Sequence, residues 1–353
     1  MNKKISISLL AVVTISVTIL SYPLVSNTTA KKPDDLSRYD DLTTQKIRSL
    51  MAADGTVDAL MVASSDQILF SEGVVSKPIN THSIRKSIMS IFIGMSQAEG
   101  MLSLDQTLQE LSIDDSVTPL TDVEKTATVE HLLMSRSGIY ISSAGEHDDQ
   151  ITKRPNRGEH RPGEVYFSNN WDFNALDSVL EKVGLPTQHR TYELARKLQF
   201  EDFNEDHFYY QTTKHSEHKQ YTMFMSARDL IKIGQLFLRD GRSHDGTELV
   251  SPEWIKKSTS SYTPIRHRVY TGYGYMWWVD KDTNTVWTDG WGGQFMMIDK
   301  DKDLVIVSRN NTGRRLGELL WLSVLGNASN GAHSNLLKVR DIVLNQQYLR
   351  STT

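Results

Sequence analysis

The sequence predicts an α+β fold in which an antiparallel sheet is flanked by helices and carries a mainly helical insertion. Short apolar runs bounded by turns indicate strands near both ends of the chain. Segments with helical periodicity dominate the middle, and the strands near the C-terminus follow one another through short turns. One sheet assembled from the two ends of the chain accounts for this order. We expect a discontinuous sheet domain over 31–100 and 225–353, and an inserted domain over 101–224.

The N-terminal elements are expected to be a helix, two strands and a second helix. The first helix is predicted over 37–52, and a turn at 64–66 separates strands over 57–63 and 67–71. The second helix, over 87–99, is the most apolar helix after the first 30 residues and ends at a glycine. The remaining predicted elements are helices around 129–134, 172–183 and 227–238, a charged loop over 147–161, strands over 272–279, 285–289, 294–299 and 304–308, and a final helix over 336–349.

Length, composition and charge exclude several classes of protein. The chain has 353 residues, of which 39% are hydrophobic and 23% charged, which excludes collagen-like or mostly disordered chains. A formal net charge of −4 gives no basic balance that would indicate nucleic-acid binding. The absence of cysteine excludes disulfides, thiolate metal sites and a cysteine nucleophile. Covalent catalysis would therefore use another residue, most commonly serine.

The first 30 residues have the organisation of a secretory signal. Lysines at positions 3 and 4 precede a long apolar run over 5–25, and a small polar segment then ends at Ala30. We expect cleavage after Ala30. A retained anchor is the alternative, because the run is near the lower length limit of a membrane-spanning helix. The predicted location is the bacterial periplasm or the medium, with no stable membrane insertion after cleavage.

A Ser-x-x-Lys pair is the first indication of chemistry. In Ser83-Ile-Arg-Lys86, a serine at a helix N-terminus has a lysine one turn later on the same face. A lysine that burial keeps neutral can accept the serine proton. The spacing recurs at Ser216 and Lys219, in an all-polar stretch that also contains His218 and predicts a solvated loop. Ser83 instead precedes the apolar helix, so Lys86 is expected to enter a buried site.

From Ser83 onward the chain resembles the beta-lactamase-related serine hydrolases, which include class C beta-lactamases, DD-peptidases and related esterases and amidases. The resemblance covers residues 55–310 and implies a beta-lactamase/transpeptidase-like fold. The segments that carry it match the family in order, and they include His82-Ser-Ile-Arg-Lys-Ser87, His131-Leu-Leu-Met-Ser-Arg-Ser-Gly138, Pro162-Gly-Glu, Asn169-Asn-Trp-Asp-Phe-Asn-Ala-Leu176, Met225-Ser-Ala-Arg-Asp-Leu230, Gly272-Tyr-Gly-Tyr-Met-Trp-Trp278 and Gly290-Trp-Gly-Gly-Gln294.

The resemblance also implies a role for each matching residue. Ser83 would be the acylated nucleophile and Lys86 its proton-accepting partner. The segment 169–176 matches the family's second motif, and Asn170 would take the place of that motif's asparagine, which hydrogen-bonds the lysine and the substrate. The backbone N–H groups of Ser83 and Gly293 would form the oxyanion hole. The implied substrate-binding turn consists of Gly290, Trp291, Gly292 and Gly293.

The second motif departs from the family pattern Tyr-x-Asn. Counting back from Asn170, the tyrosine position holds Ser168. A serine hydroxyl has a much higher pKa and a shorter reach than a phenol, so it is a poor proton relay. Three alternatives stay open from the sequence: Lys86 performs both proton transfers, Tyr166 or a water held by Ser168 reaches the site, or the protein is impaired. Taken alone, Tyr166 is more typical of a packing aromatic.

The segment 290–294 matches the family's third motif, and it departs from the family pattern as well. Family members usually have Lys or His at the position of Gly290, and that cation meets the substrate carboxylate in penicillin and cell-wall peptide enzymes. Its loss removes a charge-assisted contact and favours a neutral ester or amide. The neighbouring Asp289 is expected to point away from the cleft as a turn residue. The nearby tryptophans expected in the core are Trp277, Trp278 and Trp287.

The sequence therefore predicts an exported serine hydrolase that cleaves a small ester or amide through an acyl-enzyme on Ser83. One alternative is a catalytically impaired family member that binds a cell-wall or peptide ligand. The other is a penicillin-interacting beta-lactamase or DD-peptidase. No cofactor, metal site or nucleic-acid partner is predicted. Arg85, on a different helix face from Lys86, is expected to form a structural ion pair.

Overall fold

The computed structural model describes residues 35–312 and 328–351, with the backbone alone in 328–332 and 347–351. The predicted signal segment over 1–30 lies outside the described residues. None of the helices in the described part of the chain is both long and apolar enough to cross a membrane.

Twelve strands are found in the described ranges, and nine of them form one antiparallel sheet. They are β1 (Leu36–Ser37), β2 (Ala59–Ala63), β3 (Ile68–Gly73), β4 (Ile79–Asn80), β5 (Phe208–Gln211), β6 (Gln220–Met225), β7 (Thr263–His267), β8 (Tyr270–Tyr273), β9 (Trp278–Asp280), β10 (Thr285–Gly290), β11 (Gln294–Asp299) and β12 (Leu304–Arg309). The large sheet has the order β1-β3-β2-β12-β11-β10-β9-β8-β7, and β4-β6-β5 form a small second sheet. The two ends of the chain meet where β12 pairs with β2, with Arg309 opposite Ala59.

Helices cover both faces of the large sheet. They are α1 (Asp41–Asp54), α2 (Ile84–Ala98), α3 (Val129–Leu133), α4 (Asp148–Thr152), α5 (Asn170–Lys182), α6 (Thr187–Lys197), α7 (Ala227–Leu238), α8 (Pro252–Ser258) and α9 (Ala328–Ser351). On one face α1 packs against α9, while α7 packs on β2, β11 and β12 from the other face. Helix α2 contacts β10 and β11 and also packs on α5 and α6, so it joins the sheet to the helical region.

The alternation of side chains along the strands divides the core in two. On β12, Val305 and Val307 belong to the cluster on the α2 and α7 face, whereas Leu304 and Ile306 belong to the cluster on the α1 and α9 face. Because helices cover both faces, β11 and β12 are buried along their whole length. The cluster on the α2 face continues into the helical region through residues such as Trp171.

Several predicted boundaries are confirmed and others are wrong. The helix over Ala227–Leu238 is confirmed, and its cap Ser226 accepts a hydrogen bond from the backbone N–H of Asp229 at 2.9 Å. The strand predicted over 272–279 is instead two strands, because Met276 between them has a left-handed backbone (φ 62°). The charged segment 147–161 contains the short helix α4, and α6 was not predicted. Helix α2 begins at Ile84, directly after the candidate nucleophile.

Candidate active site

Ser83 stands at the N-cap of α2, after a tight backbone turn. His82 before it has a left-handed conformation (φ 46°), and its N–H donates to the side-chain oxygen of Asn80 at 2.8 Å. The N–H of Ile84 donates to the carbonyl of Thr81 at 3.0 Å. Within the described residues, the Ser83 hydroxyl makes no hydrogen bond and does not cap the helix. The turn therefore presents an uncommitted hydroxyl at a helix N-terminus, where a developing negative charge is favoured.

Lys86 lies one helical turn after Ser83 and reaches the N-terminus of α5. Its ammonium nitrogen donates a hydrogen bond to the side-chain oxygen of Asn170 at 2.7 Å. It also lies 5.7 Å from the ring centroid of Phe173. The contact between α2 and α5 thus brings together three of the residues that the resemblance singles out: Ser83, Lys86 and Asn170.

The environment of Lys86 brings its pKa close to neutral pH. Burial of the ammonium group, strengthened by the positive charge of Arg85, lowers the pKa of Lys86 from 10.5 to about 7. The carboxyl group of Asp172 acts in the opposite direction. A substantial fraction of the Lys86 side chains is therefore unprotonated at pH 7, as a general base requires.

Asp172 is a buried carboxyl group that sequence analysis did not assign. Burial raises the pKa of Asp172 from 3.8 to about 7, against the opposing effect of the Ser137 hydroxyl, which donates to it at 2.5 Å. The positive charge of Lys86 also favours the ionised carboxylate. Asp172 lies two residues after Asn170 in the second motif segment. The available signal was a carboxylate between two aromatic residues, Trp171 and Phe173, in a predicted helix.

Arg85 is held beside Lys86 by aromatic rings. Its guanidinium carbon lies 5.2 Å from the centroid of Phe173 and 5.7 Å from that of Tyr221. The Tyr221 hydroxyl in turn donates to the backbone carbonyl of Arg85 at 3.1 Å. This packing keeps the Arg85 charge close enough to Lys86 to lower its pKa.

Ser168 and Tyr166 of the second motif segment make contacts that are not those of a proton relay. The Ser168 carbonyl accepts from the side-chain nitrogen of Gln150 at 3.0 Å. The Tyr166 ring packs against Tyr273 with 5.0 Å between centroids. Burial raises the pKa of Tyr166 well above 10, although the nearby Ser168 side chain opposes the rise. The buried Tyr166 hydroxyl has no hydrogen bond of normal geometry to any described residue. The Tyr166 ring therefore packs against Tyr273, and its hydroxyl lies in the interior.

The segment that starts α4 is attached to the second motif at two points. The Asn170 side-chain nitrogen donates to the Gly145 carbonyl, and the Gln150 side-chain nitrogen lies 3.4 Å from the Asn170 side-chain oxygen. His147 lies between these two attachments and is exposed. Partial burial of its imidazole and the positive charges of Lys86 and Arg85 lower the pKa of His147. No sequence signal points to His147, since only tertiary contacts bring its segment to the site.

The third motif packs against the nucleophile segment. A Cβ atom added to Gly290 would lie 2.7 Å from the carbonyl oxygen of Thr81, so β10 approaches the backbone before Ser83 too closely for a side chain. The Trp291 ring lies 5.3 Å from the His82 ring and is 43% exposed. Gly292 and Gly293 continue the turn with φ values of 79° and 88°, in the region that favours glycine.

Asp289 faces the opposite side of the sheet from α2. Its carboxylate accepts hydrogen bonds from Arg268 at 2.6 Å and from the Tyr270 hydroxyl at 3.1 Å, and lies 3.2 Å from His333 of α9. Trp287, two residues earlier in β10, packs in the core on the same face. Asp289 thus points away from Ser83, as expected, but it lies in a strand and not in a turn.

The second Ser-x-x-Lys match lies in a loop, and the expectation that it is solvated holds for most of its residues but is wrong for Ser216 and His218. Ser216 is buried and donates to the carboxylate of Asp115 at 2.5 Å. His218 is buried as well, with its Nδ1 atom 2.8 Å from the Ser178 hydroxyl oxygen. Polar side chains can be buried here because each finds a hydrogen-bond partner. Lys219 is exposed, and so this match does not form a buried Ser–Lys pair.

The chain matches a known protein family over most of its length. A sequence model of the beta-lactamase family matches residues 76–315, which include all three motif segments. The antiparallel sheet with flanking helices has the beta-lactamase/transpeptidase fold, and the family match places the chain in a family of serine hydrolases. The chain belongs to the beta-lactamase family.

Solved structures with low sequence identity share this fold. A proposed 6-aminohexanoate-dimer hydrolase from Bacillus anthracis is 18% identical, with a TM-score of 0.60 over 86% of this chain and 82% of that one. An octameric penicillin-binding protein homologue from Pyrococcus abyssi is 19% identical, with a TM-score of 0.58 over 83% and 78%. A beta-lactamase from Mycobacterium bovis is 18% identical, with a TM-score of 0.56 over 83% and 99%. Among proteins with curated descriptions, none matches the chain.

Proposed function

We propose that this protein hydrolyses a small ester or amide through an acyl-enzyme on Ser83. The observation that carries the proposal is the setting of Lys86. Its pKa is lowered to about 7, it contacts Asn170, and it follows Ser83 by one helical turn. A lysine held in this way has the basicity that proton abstraction from a serine requires at neutral pH.

In the proposed mechanism, the Ser83 oxygen attacks the substrate carbonyl while neutral Lys86 takes the hydroxyl proton. The tetrahedral intermediate then expels the alcohol or amine, which receives that proton from Lys86. A water molecule attacks the acyl-enzyme, Lys86 accepts its proton, and return of the proton to Ser83 releases the carboxylic acid. The backbone N–H groups of Ser83 and Gly293 are the proposed donors to the oxyanion.

Lys86 is assigned both proton transfers because the other candidates are less suited. The Tyr166 ring packs against Tyr273 with its hydroxyl buried, and the raised pKa keeps that hydroxyl protonated at neutral pH, where it has no free site to accept a proton as a base. Ser168 has no acidic or basic group to offer near neutral pH. His147 is exposed near Lys86 and can assist as a second proton carrier, since its lowered pKa keeps the imidazole neutral at pH 7.

The third motif supports a substrate without a carboxylate at that position. Gly290 has no room for a side chain next to Thr81, so a cation cannot be provided from this position without moving β10. The Asp289 side chain points to the other face of the sheet, so it does not line the cleft at Ser83. We therefore favour a neutral ester or amide over a penicillin.

Export is a second part of the proposal. The basic and apolar composition of residues 2–30 supports cleavage after Ala30 and release to the periplasm or the medium. Expression of the full chain in a bacterium, followed by N-terminal sequencing of the exported protein, tests this. A mature N-terminus at Lys31 is the expected result, and an intact N-terminus in the membrane fraction would contradict it.

Covalent labelling tests the hydrolase proposal directly. The purified protein should react with a fluorophosphonate probe and hydrolyse p-nitrophenyl esters, and Ser83→Ala should abolish both activities. Lys86→Met should slow ester turnover by about 10²–10⁴-fold, as expected for loss of a general base. Lys219→Met is the matched control, because Lys219 has the same spacing from a serine but is exposed.

The same assay separates the alternatives. Absence of Ser83-dependent labelling and of ester turnover would contradict the hydrolase proposal and leave a family member that only binds its ligand. Ser83-dependent labelling by a fluorescent penicillin, stronger than by the fluorophosphonate, would instead indicate a penicillin-interacting enzyme.

A further inference from the structure

Arg309 at the end of β12 is a fully buried cation close to the candidate site. Its relative exposure is 0%, and burial lowers the pKa of its guanidinium from 12.5 to about 9. The Nε atom donates to the side-chain oxygen of Gln294 at 2.8 Å. The Nη2 atom donates to the backbone carbonyls of Ile79 at 2.8 Å and Asn80 at 3.0 Å. Within the described ranges, none of its partners is a carboxylate and its Nη1 atom has no partner.

The groups that Arg309 joins come from the two separate segments that form the site. Ile79 and Asn80 precede the nucleophile, and the Asn80 side chain holds the N–H of His82. Gln294 directly follows the glycine turn at 290–293. One planar guanidinium therefore bonds both the segment that leads to Ser83 and the segment that leaves the turn.

The turn itself is held by the residues next to these contacts. The Asn310 side-chain nitrogen donates to the Gly292 carbonyl at 2.8 Å. The Gln294 side-chain nitrogen donates to the Asn310 carbonyl and lies 3.4 Å from the Gly292 carbonyl. Gln294 thus uses its oxygen for Arg309 and its nitrogen for the turn. The orientation of Gly292 and Gly293 depends on this chain of hydrogen bonds.

Packing alone does not account for a cation in this position. A buried guanidinium without a carboxylate partner opposes folding, and apolar side chains of similar volume often replace buried charges without loss of stability. What an apolar side chain cannot supply is a rigid fork of donors that fixes two backbone segments at one distance. The geometry of the Arg309 contacts is of this kind.

We propose that Arg309 is a positioning residue, which holds the glycine turn against the nucleophile segment and so sets the spacing between the backbone N–H groups of Gly293 and Ser83. This inference rests on the proposed function, in which these two groups form the oxyanion hole. A misplacement of about 1 Å in such a site reduces turnover by about 10²-fold, because the donors act only at the correct distance.

Substitutions at both ends of the contact test the proposal. Arg309→Met should lower kcat for p-nitrophenyl esters by about 10–10²-fold while KM changes little, since the loss lies in the transition state. Arg309→Lys keeps the charge but not the fork, so it should remain slow. Gln294→Met should show a similar loss, and the double variant should be no slower than either single one.

Arg190→Met is the matched control. Arg190 is buried to a similar extent, but it pairs with Glu193 of its own helix and with Glu99 at the C-terminal end of α2, the opposite end from Ser83. It should lower the melting temperature and leave kcat of the folded protein unchanged. Wild-type kcat in folded Arg309→Met, or full rescue by Arg309→Lys, would overturn the positioning role.

A readout without turnover separates this inference from the proposed function. The backbone amide resonances of Gly293 and Ser83 should both shift in Arg309→Met and stay in place in Arg190→Met. If Ser83→Ala failed to abolish turnover, the proposed function would be wrong, whereas unchanged amide resonances in Arg309→Met would contradict the positioning role alone.

Discussion

The ammonium nitrogen of Lys86 lies 2.7 Å from the side-chain oxygen of Asn170, and this contact joins the helix of the candidate nucleophile to the helix of the second motif. Asn170 supplies a neutral acceptor, so it orients Lys86 without adding charge. Two charged side chains act on Lys86. The positive charge of Arg85 lowers the pKa of Lys86, and the carboxylate of Asp172 raises it. Burial of the ammonium group lowers the pKa most, and these two charges adjust it further, so all three effects together set the pH at which Lys86 can act as a base.

Replacing the neutral acceptor by a carboxylate should protonate Lys86. In Asn170→Asp, a negative charge at hydrogen-bond distance would raise the pKa of Lys86 by one or more units, with each unit reducing activity about tenfold on the acid side. We expect lower kcat/KM at pH 7 and recovery of much of the loss at pH 9, measured as a pH–rate profile for an ester. An unshifted profile would show that Lys86 is not the titrating base.

Removing the Asp172 charge should shift the profile in the other direction. Asp172 raises the pKa of Lys86, so Asp172→Asn should lower that pKa and move the acid limb of kcat/KM to lower pH. Asp177→Asn is the matched control, since Asp177 is a buried carboxyl of the same helix whose charge is not among those that shift Lys86. Arg85 lowers the pKa of Lys86, so Arg85→Met should move the acid limb of kcat/KM to higher pH. Shifts in the same direction in Asp172→Asn and Arg85→Met would refute the assignment of the limb to Lys86.

The same aspartate should make stability depend on pH. The folded protein binds the Asp172 proton more tightly than the unfolded chain, because the pKa is raised from 3.8 to about 7. The contribution of Asp172 to the free energy of unfolding is therefore present below pH 4 and is lost as the pH rises to 7. Urea unfolding at several pH values should show a smaller decrease between pH 4 and 7 in Asp172→Asn than in the wild type. Parallel curves for the two proteins would contradict the raised pKa.

A methyl group added at Gly290 should push the glycine turn at 290–293 away from the nucleophile segment at Thr81. The added Cβ would lie 2.7 Å from the Thr81 carbonyl oxygen, a backbone atom that can move only with its segment. We expect Gly290→Ala to lower the free energy of unfolding by about 1–3 kcal/mol and to reduce kcat as well. Gly234→Ala is the control, because its Cβ would meet Val305 in the core and should destabilise the fold without a specific loss of kcat. Equal kcat in the two folded variants would contradict a role for this close approach.

Restoring the family tyrosine tests whether its absence limits the rate. Ser168→Tyr places a phenol at the position that precedes Asn170 by two residues, and the side chain of Ser168 is only partly buried. If proton transfer to the leaving group limits turnover, we expect Ser168→Tyr to raise kcat, most clearly for substrates with poor leaving groups. Ser168→Phe controls for ring size without the hydroxyl. A gain in the phenylalanine variant as large as in the tyrosine variant would exclude proton relay as the cause.

Elements fixed by local sequence patterns could be predicted, whereas features fixed by contacts between residues far apart in the sequence could not. Helix α7 and strand β11 were predicted with their observed bounds, because each has a continuous apolar pattern and local end signals. Strands β8 and β9 were predicted as one strand, since the turn at Met276 is stabilised by a hydrogen bond to Leu133, far away in the sequence. Ser216 and His218 looked solvated because their partners, Asp115 and Ser178, are also distant.

By itself, the sequence determined the α+β pattern, the family resemblance and the candidate residues Ser83, Lys86 and Asn170, because these depend on local order along the chain. Tertiary structure alone decided what those residues can do. The pKa of Lys86 depends on charges from α2 and α5 together, and the setting of the glycine turn depends on Arg309 from β12. Desolvation and charge act through space over a few ångströms, so neither effect leaves a pattern in the order of the residues.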